Sequence, residues 1–384
     1  MFLEITRKRN PKLIEIARKL HKTKKILPDT YVIDVDAVLE NAKMIKESAD
    51  KYGIKLYYMS KQLGRNPYIC KKIDELGYEG AVVVDYKEAR VLHNQGVKIG
   101  HVGHLVQIPD SLIENILEMN PQIITVYSIE KAKKINEAAK KKGIIQSIML
   151  KIYKDGDLLY PGQYSGFEIE KIDEIIEKLK GFKNIKIDGI THFPCFLYDE
   201  KTNKIEATHN LNTVIEANKR LEKNGIKVSQ LNLPSSTCVK SMGKIAEFGG
   251  THGEPGHGLS GTTPFHNELS APELPAIVYV SEISHNFQGH GYIYGGGHYR
   301  RSHVENIILG GDAKNERLSK VVMPSPEAID YYFEIEDEGI IGEATIMAFR
   351  TQIFVTRSDV ALVEGLSKNS PKLVGIYDSL GRKL

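Results

Sequence analysis

Cysteine is scarce in this chain of 384 residues: only Cys70, Cys195 and Cys238 occur. Their number is odd and no two stand in CxxC spacing, so free thiols in a reducing compartment, the cytoplasm, are expected. No apolar run approaches the ~20 residues that cross a bilayer. The Lys- and Arg-rich segment 1–26 lacks the continuous apolar core of a signal peptide, and no membrane partner is expected. Neither sign of charge dominates. The 52 basic and 49 acidic residues leave +3, interleaved along the chain, and no basic stripe carries aromatics, which sets nucleic acid aside. Thirteen histidines occur without HxH or HExxH spacing, so no metal is expected. No GxGxxG opens a helix after the first strand, which counts against a dinucleotide fold.

What remains has the composition of a globular protein, 41% hydrophobic and 26% charged. The length suits one large barrel with a smaller partner domain. Leu13, Ile14, Ala17 and Leu20 recur at helical spacing and predict an amphipathic N-terminal helix within 1–30. Short apolar runs then alternate with helical patterns. The runs are 55–59 (KLYYM), 80–84 (GAVVV), 99–106, 123–126, 147–152, 187–191, 230–233 and, more weakly, 248–252. Asp85 can cap the helix after the second run, with Glu88 completing a capping box. Ser128 caps another helix, which Gly143 stops. Strand-plus-helix units in this succession predict an α/β fold, a (β/α)8 TIM barrel over 31–263. An open doubly wound sheet is the runner-up. From Pro264 the rhythm turns to strands, at 277–283, 292–294, 307–309, 331–335, 353–356 and 359–363, giving a β-rich C-terminal domain over 264–384. The run 31–35 (YVIDV) precedes the first barrel strand and can pair with that domain.

Chemistry in such a barrel sits at the C-terminal strand ends. Lys61 directly follows the first strand. There a desolvated ammonium has a lowered pKa, as a Schiff-base amine requires, although a loop lysine on the surface has the same sequence position. After the eighth strand comes THGEPGHGLSG, residues 251–261. Its glycines let backbone N–H groups approach a phosphate, and Glu254 could bond a protonated ring nitrogen; a plain crossing into the next domain is the other reading. Ser235 and Ser236 close the seventh strand, where hydroxyls suit a phosphate or a helix N-cap. His192 closes the sixth strand as a stacking or hydrogen-bonding candidate. In YIYGGGHYRR, residues 292–301, Tyr294, His298 or Tyr299 could supply an acid or base. Arg350 or Arg357 could clamp a carboxylate bidentately.

These residues, in this order, resemble the alanine-racemase-like, fold type III enzymes of pyridoxal 5′-phosphate (PLP). DVDAVLEN at 34–41 resembles the family's entry strand and first helix, and Lys61 falls where its PLP lysine lies. Thr191-His192-Phe193 matches its THF, whose histidine packs by the cofactor ring. Ser235 or Ser236 falls on the phosphate-binding serine, and Glu254-Pro255-Gly256 on the segment for the pyridine nitrogen and phosphate. The YGGG and FRTQIFVTRSD stretches resemble a YhfX-type branch. Three departures stand out. Glu254 occupies the place of an arginine in alanine racemases, so the ring nitrogen would be protonated and the electron sink stronger, as in the family's decarboxylases. The decarboxylases' cysteine motif has no counterpart after Cys238. YPGQYSG at 160–166 replaces a TGMGR-like element and lacks its arginine.

The resemblance implies an amino-acid racemase working through a Lys61 Schiff base. Tyr294 would be the second catalytic residue, reaching the partner's site in a homodimer. His192, Ser235, Ser236, Glu254, Gly256, His257 and Tyr377 would bind the cofactor, and Arg350 the substrate. A PLP-dependent decarboxylase or lyase, and a PLP-binding protein without enzymatic activity, are the alternatives.

Overall fold

Parallel pairing organises one part of the chain and antiparallel pairing the other. The computed structural model describes residues 2–295, 298 and 301–384, and of Asn267 only the backbone. Residues 45–60 and 70–256 form one compact unit; residues 1–44, 61–69 and 257–384 form a second.

In the first unit, Lys55–Leu56 and Tyr58–Met59 are one strand interrupted at Tyr57. Its first half pairs with His252–Gly253 and its second with Ala81–Val82. Between them run Ile99–Val102, Ile123–Val126, Gln146–Tyr153, Ile185–Thr191 and Gln230–Asn232, every neighbour parallel. The ring closes, so the predicted barrel is the one formed and the open sheet is not. Phe167–Glu168 adds a short flap to the fifth strand. The eighth strand begins later than its sequence pattern predicts, because Phe248 instead ends the helix Met242–Glu247. The Asp85 carboxylate accepts from Glu88 N at 2.9 Å and caps Tyr86–Asn94. Glu88 does not complete the expected capping box. Its fully buried carboxylate accepts from Val84 N at 2.7 Å and from the Ser60 hydroxyl, tying down the end of the first strand. Ser128 and left-handed Gly143 bound Ile129–Lys142 as expected.

The second unit is built on a nine-stranded sheet. Its order is His290–Tyr294, Tyr332–Ile335, Arg317–Val322, Asn306–Leu309, Ala344–Met347, Ile277–Phe287, Thr30–Asp34, Asp359–Glu364 and Lys372–Tyr377. Ile277–Phe287 also pairs with His290–Tyr294, which closes the first six into a small antiparallel ring. The entry strand Thr30–Asp34 does join this sheet, antiparallel to Ile277–Phe287 and parallel to Asp359–Glu364. Where one N-terminal helix is expected, two stand, Phe2–Arg9 and Pro11–Lys22, divided before Pro11, whose ring suits the first helical turn. The face of Leu13, Ile14, Ala17 and Leu20 is buried with Val278, Val280, Ile308 and Ile346. The expected strand at 353–356 is a 3-10 turn, Ile353–Val355. No helix among the described residues is long and apolar enough to cross a membrane.

Candidate active site

Barrel closure brings the third, fourth, seventh and eighth strands to one buried polar chain. Glu254 follows the eighth strand. Its Oε1 accepts from His101 Nδ1 at 2.7 Å and from Asn232 Nδ2 at 2.6 Å. His101 Nε2 meets Thr125 Oγ1 at 2.5 Å. Burial opposes the charge on Glu254, but His101 and Asn232 outweigh it and hold the carboxyl at about 2, below the usual range. An ionised carboxylate only accepts, so Nδ1 of His101 carries the proton. The second oxygen, Oε2, takes no hydrogen bond among the described residues. Beneath this chain Tyr57 stacks on His252, centroids 5.5 Å apart, and donates to Gln230 Oε1 at 3.0 Å.

His192 lies beyond the sixth strand, fully buried. Its Nδ1 accepts from Phe193 N at 2.7 Å, so Nε2 carries the proton and donates to Asp157 Oδ2 at 2.9 Å. Burial lowers its pKa further and keeps the ring neutral. Asp157 also accepts from Lys154 N, His209 Nδ1 and Thr213 Oγ1. On the fifth strand Lys151 donates to Ser165 Oγ at 2.8 Å, with Nζ 5.2 Å from the Tyr127 ring centre.

Ser235 and Ser236 both have left-handed backbones, φ +94° and +49°. Two consecutive non-glycine residues in that region are strained, and such strain persists where the surroundings impose it. The next residue, Thr237, accepts from Glu254 N at 3.4 Å, which sets this turn beside the eighth strand. Among the described residues no acceptor takes the backbone N–H of Ser235, Ser236, Thr237 or Gly256.

In the second unit Lys61 opens the 3-10 turn Lys61–Leu63, its Nζ 5.9 Å from the Phe354 ring centre; Arg65 stacks on the same ring at 5.1 Å. His257 accepts from Gln352 Nε2 at 3.4 Å and donates from Nδ1 to Thr262 Oγ1 at 3.1 Å. Burial, with the positive charges of Arg350, Lys61 and Arg301, pushes its imidazole well below the ordinary range. His257, Lys61 and Arg350 thus share one electropositive cluster. Tyr377 and Tyr294 stand apart, on the last and first strands of the sheet order. Tyr377 is buried, and its hydroxyl makes no hydrogen bond among the described residues. Tyr294 is 38% exposed, and its carbonyl accepts from Ser281 Oγ at 2.7 Å and from Tyr279 OH at 3.2 Å. Gly295 has φ +88°, and a Cβ there would collide with the Tyr279 hydroxyl. Of the other two candidates at this turn, His298 has its ring 5.2 Å from that of Phe333, and Tyr299 lies outside the described residues together with Gly296, Gly297 and Arg300. Arg357 faces Asp29 at 3.8 Å.

Sequence reasoning missed His101, Thr125, Asn232, Lys151 and Asp157. For the first four the available signal was polarity inside strands: IGHV, IITV and IMLKIY each bury one polar side chain, His101, Thr125 and Lys151, and QLN buries two, Gln230 and Asn232.

Residues 33–264 match the family model described as "Alanine racemase, N-terminal domain", and residues 278–373 match "YhfX-like, C-terminal domain". The chain is 45% identical to the Escherichia coli (strain K12) protein described as "Uncharacterized protein YhfX", over 100% of both chains. Among solved structures it is similar to an alanine racemase of Clostridium difficile 630, at 19% identity and TM-score 0.67, covering 92% of this chain and 99% of that one. A diaminopimelate decarboxylase from M. jannaschii matches at 15% and 0.65, covering 95% and 92%. A D-threonine aldolase from Filomicrobium marinum matches at 13% and 0.62, covering 92% and 95%. The fold family includes PLP-dependent racemases, decarboxylases and aldolases. By the extent of the family model and the full-length identity, the chain belongs to the alanine racemase-like family, with a YhfX-like C-terminal domain.

Proposed function

We propose that this chain is a PLP enzyme acting at the α-carbon of an amino acid, and that its reaction is racemisation. The observation that carries the reading is Glu254. One of its oxygens is committed to His101 and Asn232, while Oε2 has no partner among the described residues and suits a ring N–H. The N–H groups of Ser235, Ser236 and Gly256, which no acceptor among the described residues takes, suit a phosphate. We assign Lys61 to hold the cofactor, Glu254 to face its ring nitrogen, His192 to pack by its ring, and Ser235, Ser236, Gly256, His257 and Tyr377 to bind its phosphate. When bound, the cofactor supplies the electron sink that an α-carbon reaction needs.

Arg350 holds the substrate carboxylate. Lys61 moves the α-proton on one face through Nζ, and Tyr294 on the other through its phenol oxygen, from the partner subunit of a homodimer. Two bases flanking one carbon are what racemisation requires, and the exposure of Tyr294 supports its place at such an interface. The cytoplasm is the proposed compartment.

Glu254 also favours a second reading. A carboxylate keeps the ring nitrogen protonated, and the stronger sink that results suits decarboxylation or elimination. Incubation with single L- and D-amino acids in deuterated water separates the readings. Racemisation gives both enantiomers with deuterium at the α-carbon. Decarboxylation releases carbon dioxide, and elimination releases a keto acid.

A further inference from the structure

The barrel mouth contains a cation that the fold does not neutralise. Lys151 is 4% exposed on the fifth strand. Strand alternation puts it on the same face as Met149, whose sulfur meets Asn232 Nδ2 at 4.0 Å. Asn232 bonds Glu254. Lys151 therefore points into the barrel, one layer nearer the C-terminal mouth than Met149, in register with Thr191.

The groups facing its ammonium are uncharged. Ser165 accepts from it, and the Tyr127 ring lies under it. The Tyr127 hydroxyl donates to the His104 carbonyl, and burial raises it to about 12, so it stays a phenol. His192 is neutral, as its bonds require. The nearby acid, Asp157, already accepts from His192, His209, Thr213 and Lys154 N. Among the described residues no carboxylate lies within ion-pair distance of Lys151. Burial pulls its amine down to about 8, which leaves it mostly cationic at neutral pH. A desolvated cation without a counter-charge is costly, and an arriving anion removes that cost.

We propose that Lys151 binds a carboxylate of the substrate; the proposal rests on reading the site as that of an amino-acid enzyme. The carboxylate is either the one on the α-carbon, in place of Arg350, or one on the side chain, and two probes distinguish them. The holoenzyme is titrated calorimetrically with acetate and with succinate at pH 7. Lys151→Met should weaken binding at least about tenfold, as loss of a charge-assisted bond does, and Lys151→Arg should retain it. Equal losses for both probes assign the α-carboxylate, and a loss for succinate alone assigns a side-chain carboxylate.

Wild-type affinity should also fall as pH passes about 8; this readout needs no variant and decides the matter if Lys151→Met does not fold. Absence of binding, binding insensitive to pH, or binding unchanged in a folded Lys151→Met overturns the proposal. So does a variant in which only the cofactor's absorbance changes, because Lys151 would then serve the cofactor. Absorbance of the same samples keeps the two readings separate. A cofactor band with Lys151-independent binding overturns this proposal alone. Lys151-dependent binding without any band overturns the cofactor reading and leaves the carboxylate site standing.

Discussion

His101 donates from Nδ1 to Oε1 of Glu254 at 2.7 Å, with the two side chains only 0% and 2% exposed. The bond joins the third barrel strand to the end of the eighth and holds the carboxylate ionised where water does not solvate it.

Glu254→Gln should therefore cost stability, by about 1–3 kcal/mol at neutral pH. The folded pKa lies below the unfolded value, so the contribution is complete above 4.5 and is lost as pH falls toward about 2. Urea denaturation of both proteins across that range should show the gap narrowing with acid. A gap independent of pH would mean that Glu254 is not ionised in the folded chain.

The charge on Lys151 costs stability, where that on Glu254 supplies it. Its folded pKa, about 8, lies below the ordinary 10.5, so the folded state binds fewer protons between those values and stability rises with pH across them. Below about 8 the full cost of the buried charge is present. Lys151→Met should stabilise the protein at pH 7 by on the order of 3 kcal/mol, and by much less near pH 10. Thermal melts at the two pH values check this; a variant less stable than wild type at pH 7 contradicts it.

Asp157 ties three side chains and one backbone amide together. Asp157→Ala leaves the buried His192 Nε2–H without its acceptor and should cost about 3 kcal/mol. Chemical denaturation measures it, and a change within ±0.5 kcal/mol, as at an ordinary surface position, would show the network to be dispensable.

The barrel was legible because its signals are local. Asp85, Ser128 and Gly143 act through bonds to residues three or four positions away, and each behaves as its sequence context implies. The second unit was less so. Arg317–Val322 and Lys372–Tyr377 are largely or partly exposed and do not alternate apolar with polar residues, and Ala344–Met347 is buried on both faces, which removes the alternation that marks a strand. The segment 353–356 has the apolar, β-branched composition of a strand. It folds instead as a 3-10 turn after Thr351, whose hydroxyl donates to the Gln62 carbonyl. In the site, Glu254 could be found from its glycine-rich setting. Its partner His101 could not, because the two are 153 positions apart and meet only when the barrel closes.

The most direct test of the central claim is to load the protein with PLP, reduce it with borohydride and map the label by peptide mass. The account predicts a pyridoxyl group on the peptide that contains Lys61 and none in Lys61→Ala. Label spread over surface lysines, or equal in wild type and Lys61→Ala, would contradict it.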